Sequence, residues 1–248
     1  MTMRYGYKEG KRRVESILDS DFEVKESLMV PTGDSFTFDN AYHSWVTAIF
    51  IDIRNSTKLM AEDDQEHVAK VVRSFTSEII EILRGDSAER ELGIRGDCVY
   101  AVYSTPTKES IAEALDRAAY INTYINMLNE LLVLRGYDRI YAGIGVATGH
   151  DHVIKAGRKD VGINSLVWMG DAVSKASKLS AFGDKDGYSR IFISSITYTN
   201  AIEIYKEQIP DKNPESWFHD ASSKMWGAKY CSIVMSDMDE WINDGMPD

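Results

Sequence analysis

Cysteine is nearly absent from this chain, with only Cys98 and Cys231 among 248 residues. Both lie in apolar, strand-like runs, and the two read as small core residues of a reducing compartment, with a disulfide as the minor alternative. Long apolar runs are absent too: none approaches the roughly 20 residues of a membrane span. Lys11-Arg12-Arg13 is followed by no apolar core, which excludes a signal peptide at that point. Positive charge is in deficit, since 28 Lys and Arg face 39 Asp and Glu for a formal net charge of −11. That balance argues against a nucleic-acid polymer or an anionic membrane as partner, because both require a basic face. A small nucleotide, held by a metal and a few local cations, is not excluded. The expectation is a soluble, cytoplasmic protein. With 44% hydrophobic and 10% aromatic residues, the chain has the composition of a folded domain with a sizeable core.

The chain is organised around Ala48-Ile-Phe-Ile-Asp-Ile-Arg-Asn-Ser-Thr-Lys58. Trp45 to Ile53 is rich in β-branched and aromatic residues, as a buried strand requires. Asp52 interrupts that run, and a carboxylate buried alone loses its hydration. It therefore calls for a cation, a charged partner or backbone donors. Asn55-Ser56-Thr57 has the composition of a turn into a helix, whose free N–H groups can hold an anion. A carboxylate beside an anion-binding turn is the layout of a metal–phosphate site. Taken alone, the same residues also suit a strand end followed by a helix cap.

The rest of the chain supplies a scaffold. Residues 1–40 are polar and mixed, with one short helix predicted around Arg12 to Leu18, and read as an arm ahead of a main domain at 41–248. Val68, Val71, Val72, Phe75, Ile79, Ile82 and Leu83 mark an amphipathic helix on which His67 reads as solvated. Two β-rich runs flank Arg95-Gly96-Asp97 and predict a hairpin, in which Asp97 by itself would be a turn aspartate. Its interest lies in pairing with Asp52 from a neighbouring strand end. A long helix is expected from Thr107 to Leu134, then a central strand from Arg139 to Gly149, where Gly145 allows close approach. No GxGxxG opens a helix here, so this is no dinucleotide fingerprint. His150-Asp151-His152 reads as a polar loop, because no other His or Cys stands nearby in sequence to complete a metal set. Trp168 to Gly183 gives a loop and a helix starting near Asp171, with Ser174 and Lys178 on one face. Arg190 to Ser195 and Lys229 to Ser236 are expected to be further strands.

Three of these blocks, in order and at suitable spacing, resemble a class III nucleotide cyclase catalytic domain. Ile49 to Thr57 is similar to the family's first metal block, and Gly93 to Tyr100 to its Gly-Asp hairpin. Met169 to Lys178 is similar to its final loop-and-helix block, while Gly149, Val153, Ala156 and Gly157 fit the glycine-rich segment before it. The resemblance spans roughly Trp45 to Ser236. It implies an α+β, ferredoxin-like fold with a central, mostly antiparallel sheet and helices packed on it. It also implies a homodimer with sites at the interface. Asp52, the carbonyl of Ile53 and Asp97 would hold two divalent ions, Mg²⁺ or Mn²⁺. Phe50, Asn55, Ser56, Thr57 and Gly96 would contact a nucleoside triphosphate, and Ser174 and Lys178 would reach in from the other subunit as catalytic residues.

Departures from the family pattern narrow the expectation. Gly93 occupies the position at which the family reads adenine or guanine, and Val167 the position of its partner residue. Ser174 stands in place of the ribose-contacting Asn, and Lys178 in place of an Arg, keeping the charge without the bidentate fork. These changes resemble the bacterial anti-phage pyrimidine cyclases, which imply conversion of UTP or CTP to a cyclic monophosphate and pyrophosphate. The product would be read by a separate effector protein. Two alternatives stay open: an adenylate cyclase with an atypical adenine pocket, and an inactive nucleotide-binding regulatory domain.

Overall fold

Strand β2 (Asn40–Ile53) is the axis of the fold, and its alternation explains both layers around it. Ile49, Ile51 and Ile53 point to one face, whereas Val46, Ala48 and Phe50 point to the other. A strand apolar on both faces must be covered on both. The computed structural model describes residues 5–56, 64–85, 87–158 and 162–247. Before β2 come helix α1 (Tyr7–Leu18), β1 (Glu23–Glu26) and a 3₁₀ turn at Gly33–Ser35. After it come α2 (Gln65–Leu83), β3 (Glu89–Arg95), β4 (Cys98–Ser104), α3 (Lys108–Val133), β5 (Ala142–Arg158), β6 (Ile163–Met169) and α4 (Asp171–Ser180). The chain ends with β7 (Ile191–Ile193), α5 (Ser195–Gln208), β8 (Phe218–Asp220), β9 (Lys229–Cys231) and α6 (Ser236–Asn243).

The sheet runs β3-β4-β2-β5-β7-β9-β8, with β1 beside the start of β2 and β6 beside the end of β5. Only the β1–β2 and β5–β7 pairs are parallel. Within it, β2-α2-β3-β4-α3-β5 is a ferredoxin-like βαββαβ unit with strand order β3-β4-β2-β5. The first face is sealed by α2, α3 and α5: Phe75, Ile79, Leu83, Leu115 and Ile125 all reach a fully or nearly fully buried core. Each such side chain contributes about 1.5–3 kcal/mol of transfer free energy. On the second face α4 packs on β5, β2 and β7, leaving the β3–β4 side of that face for the site.

Residues ahead of position 41 join this architecture. β1 pairs with β2, and Val30 and Phe36 are buried against the second face. The strand predicted to end at Gly149 runs on to Arg158. His150, Asp151 and His152 therefore lie within β5 rather than in a loop, because this stretch pairs with residues 43–45 of β2.

Candidate active site

The register between β2 and β4 sets Asp52 opposite Cys98, immediately after the Arg95-Gly96-Asp97 turn. Gly96 sits at φ 66°, a left-handed conformation that favours glycine and lets the hairpin reverse there. Asp52 and Asp97 thus come to the same end of the sheet. Partial burial holds the Asp52 carboxyl above the usual carboxylate range; Arg54 opposes this and the like charge of Asp97 adds to it. The Cys98 thiol beneath them is pushed up to about 12, by burial first and by Asp52 second. Two carboxylates with a backbone carbonyl would make an all-oxygen donor set, which suits hard ions such as Mg²⁺ or Mn²⁺. The acid pair with a single guanidinium beside it leaves negative charge for such an ion to neutralise, so the residues fit the group.

Arg54 is the residue the motif did not foretell. Its Nη2 donates to Asp52 Oδ2 at 3.1 Å and to the Ser180 carbonyl at 2.9 Å, and Nη1 donates to the Ala181 carbonyl at 3.2 Å. It therefore ties the end of β2 to the end of α4 while orienting Asp52. Asn55 follows at φ 54°, a left-handed position that Asn tolerates, and Ser56 opens the next helical turn. Thr57 lies outside the described residues.

Helix α4 is positioned by three devices along β5. A Cβ at Gly143 would lie 1.9 Å from the Ser180 carbonyl oxygen, and one at Gly145 only 2.0 Å from that of Ala176. Those glycines let helix and strand touch backbone to backbone. At the other end buried Asp151 accepts from the amides of Asp171 (3.0 Å) and Ala172 (3.1 Å), capping the helix from a neighbouring strand. Burial raises its carboxyl above the usual range, against the pull of those amides. The cap explains why the helix begins at Asp171. Ser174 and Lys178 consequently stand one turn apart on the exposed side of α4. Ser174 Oγ donates to the Gly170 carbonyl at 3.1 Å. No hydrogen bond or ion pair among the described residues joins either of them to Asp52 or Asp97.

Beside the acid pair, on the same face, lies an aromatic and acidic set. The Phe50 and Tyr100 rings stack with centroids 5.1 Å apart. Tyr100 crosses above Gly93, where a Cβ would meet its Oη and Cζ at 2.7 Å. Tyr100 Oη donates to Glu91 Oε1 at 2.7 Å, and the Trp168 indole N–H donates to Glu91 Oε2. Burial first, and Glu91 second, push the Tyr100 hydroxyl up to about 12, so it stays protonated. Gly93 is thus a requirement of the Tyr100 ring. Phe50 was among the residues expected to touch substrate; Glu91, Tyr100 and Trp168 were not, and alternation along β3 and β4 could have marked Glu91 and Tyr100 as neighbours on that face but not Trp168, which comes from β6.

This fold and site define a nucleotide cyclase domain. Residues 38–209 match the family described as adenylate and guanylate cyclase catalytic domain, and the chain belongs to that family. It is 44% identical over 246 residues to a protein named uridylate cyclase from Treponema porcinum, covering 99% of this chain and 84% of that one. A second protein of that name, from Gulbenkiania mobilis, is 34% identical over 205 residues, covering 79% and 80% of the two chains. Among solved structures, a class III adenylyl cyclase-like ATP-binding protein from Pseudomonas aeruginosa superposes with a TM-score of 0.67 at 18% identity, over 95% of this chain and 48% of that one. The adenylyl cyclase CyaB from P. aeruginosa gives 0.58 at 21% identity, over 66% and 83%. At those identities the structures speak for the fold alone. The chain is a nucleotide cyclase, a member of a family that uses divalent metal ions. No helix among the described residues is long and apolar enough to cross a membrane.

Proposed function

We propose that this chain is a uridylate cyclase working by two-metal catalysis as a homodimer. The observation that carries the reading is the Tyr100 ring over Gly93, which fills the position where the family otherwise places a purine-reading side chain. The names of the two relatives described above point the same way. Phe50 and Tyr100 would flank the base, and Glu91, an acceptor only, would take an N–H such as that of uracil N3. Asn55 and Ser56, at the start of a helix, would bind the phosphates through their amides. Asp52, Asp97 and the Ile53 carbonyl would hold two divalent ions, which when bound lower the pKa of the ribose 3′-hydroxyl and neutralise the triphosphate.

In the reaction a bond forms between the 3′-oxygen and the α-phosphorus, the bond from that phosphorus to the bridging oxygen of pyrophosphate breaks, and the hydroxyl proton is lost. Lys178 of a second copy would meet charge on the phosphoryl oxygens, and its Ser174 would orient the ribose. The exposed placement of both on α4 supports delivery to a neighbouring chain. The cyclic product would serve as a second messenger for a separate effector in anti-phage defence. Purified protein supplied with Mn²⁺ and each of the four ribonucleoside triphosphates separately is expected to release cyclic UMP, and an Asp97→Ala variant none. Cyclic AMP as main product would overturn the base assignment, and cyclic CMP would move it within the pyrimidines.

A further inference from the structure

At the opposite end of β2 the sheet gathers a second set of metal-ligating side chains. The parallel register sets Glu26 of β1 beside His43, and the antiparallel register sets His152 of β5 opposite His43 and His150 opposite Trp45. Alternation then places Glu26, His43, His150 and His152 on one face. His43 Nδ1 lies 2.7 Å from Glu26 Oε1, and His150 Nε2 lies 3.6 Å from Glu26 Oε2. The rings of His150 and His152 pack against His43 with centroids 3.8 and 3.9 Å away. Ligand atoms of Glu26, His43 and His150 all fall within 4.8 Å of one another.

The hydrogen bonding of His43 shows what the cluster needs. Its Nε2 lies 3.1 Å from the His150 carbonyl oxygen, which can only accept. A neutral His43 must therefore carry its proton on Nε2, turning the Nδ1 lone pair toward a carboxylate oxygen. Two acceptors at that distance require a cation. A second proton would supply one, at the cost of an imidazolium packed against two more imidazoles, one tilted and one stacked. A metal ion supplies it with every imidazole neutral. The Nε2–H bond to a backbone carbonyl is also the contact that fixes metal-ligating histidines in the right tautomer.

We propose that Glu26, His43 and His150 bind a zinc-class divalent ion that clamps β1 to the sheet. Two imidazole nitrogens and one carboxylate favour Zn²⁺ and its neighbours over Mg²⁺ and Mn²⁺, which prefer oxygen. A water completes a tetrahedral set, and His152 backs the His43 ring. The site is separate from the Asp52–Asp97 end and does not depend on the base the enzyme uses.

The test is titration of chelator-treated full-length protein with Zn²⁺ in excess Mg²⁺, followed by calorimetry, with Co²⁺ as spectroscopic probe. One Zn²⁺ per chain is expected, with tetrahedral Co²⁺ bands in the visible spectrum. His43→Gln and His150→Gln should each weaken Zn²⁺ binding at least about tenfold and erase the bands. Asp52→Asn and His219→Gln should leave both unchanged. Glu26→Gln, at an exposed carboxylate, changes no buried group and should weaken Zn²⁺ binding likewise. Absence of Zn²⁺ uptake by the unaltered chain, or uptake that survives the His43, His150 and Glu26 changes, would overturn the site and leave a proton as the cation that His43 holds. Zn²⁺ uptake lost with Asp52→Asn alone would overturn it as well.

Discussion

The two ends of β2 make an instructive pair. From His43 to Asp52 the strand rises about 30 Å, and each end gathers anionic or ligating side chains from its neighbours. The acid end, on the second face, collects oxygen donors around a hairpin turn. The histidine end, on the first face, collects imidazoles from two strands and a carboxylate from a third. Helix α4 lies beside the strands that join them, held at its start by Asp151 and at its finish by Arg54. The same tripeptide serves both purposes: alternation sends His150 and His152 one way and Asp151 the other. All-oxygen donors at one end and mainly nitrogen donors at the other separate the ions each would attract, so the ends can be perturbed one at a time.

The sharpest separation is expected from Asp52→Ala. Cyclase turnover should fall at least about 100-fold, the order seen when one preorganised stabilising group is lost, while Zn²⁺ uptake at His43 stays as it was. Equal loss of both would show that the ends are not independent. Next in size is Gly145→Ala, whose methyl group would force α4 off β5. A stability loss of about 3 kcal/mol is expected in urea denaturation, the upper part of the usual cost of overpacking, with turnover reduced because Ser174 and Lys178 move.

The smallest effect is expected from Asp151→Asn, a change of about 1 kcal/mol whose interest is its pH dependence. The folded Asp151 carboxyl sits above its ordinary range, so over that window the folded chain keeps a proton that the unfolded chain has released. Its contribution to stability therefore declines as pH rises from the ordinary carboxylate range toward the raised value. Asn cannot titrate, so unfolding free energies measured across mildly acidic pH should slope less in the variant. An unchanged slope would mean that Asp151 carries no such shift.

Asp52 and Asp97 stood out in the sequence through blocks that together resemble the cyclase family, although each taken alone also suited a strand end or a turn. The α2 and α3 stripes were legible from local pattern alone, and so was the hairpin at Gly96. The strand β5 was cut short at Gly149 because His-Asp-His has no strand propensity of its own. Pairing with β2 and the capping of α4 by Asp151 override that preference. The histidine set stayed hidden because His43 and His150 are 107 residues apart, and without a register no spacing rule links them. Glu91, Tyr100 and Trp168 escaped notice likewise, since they meet only when β3, β4 and β6 take their places. Gly93 looked like a missing side chain; beside Tyr100 it is the space the ring occupies.

What the sequence by itself determined was the long helices, the central strand and the hairpin at Gly96, because hydrophobic period and turn chemistry act over a few residues. Which histidines meet a carboxylate, what fills the space over Gly93 and which strand caps α4 were decided only by tertiary structure. Those are matters of register between strands far apart in the chain, and a shift of one residue in pairing would turn each of these side chains to the opposite face of the sheet.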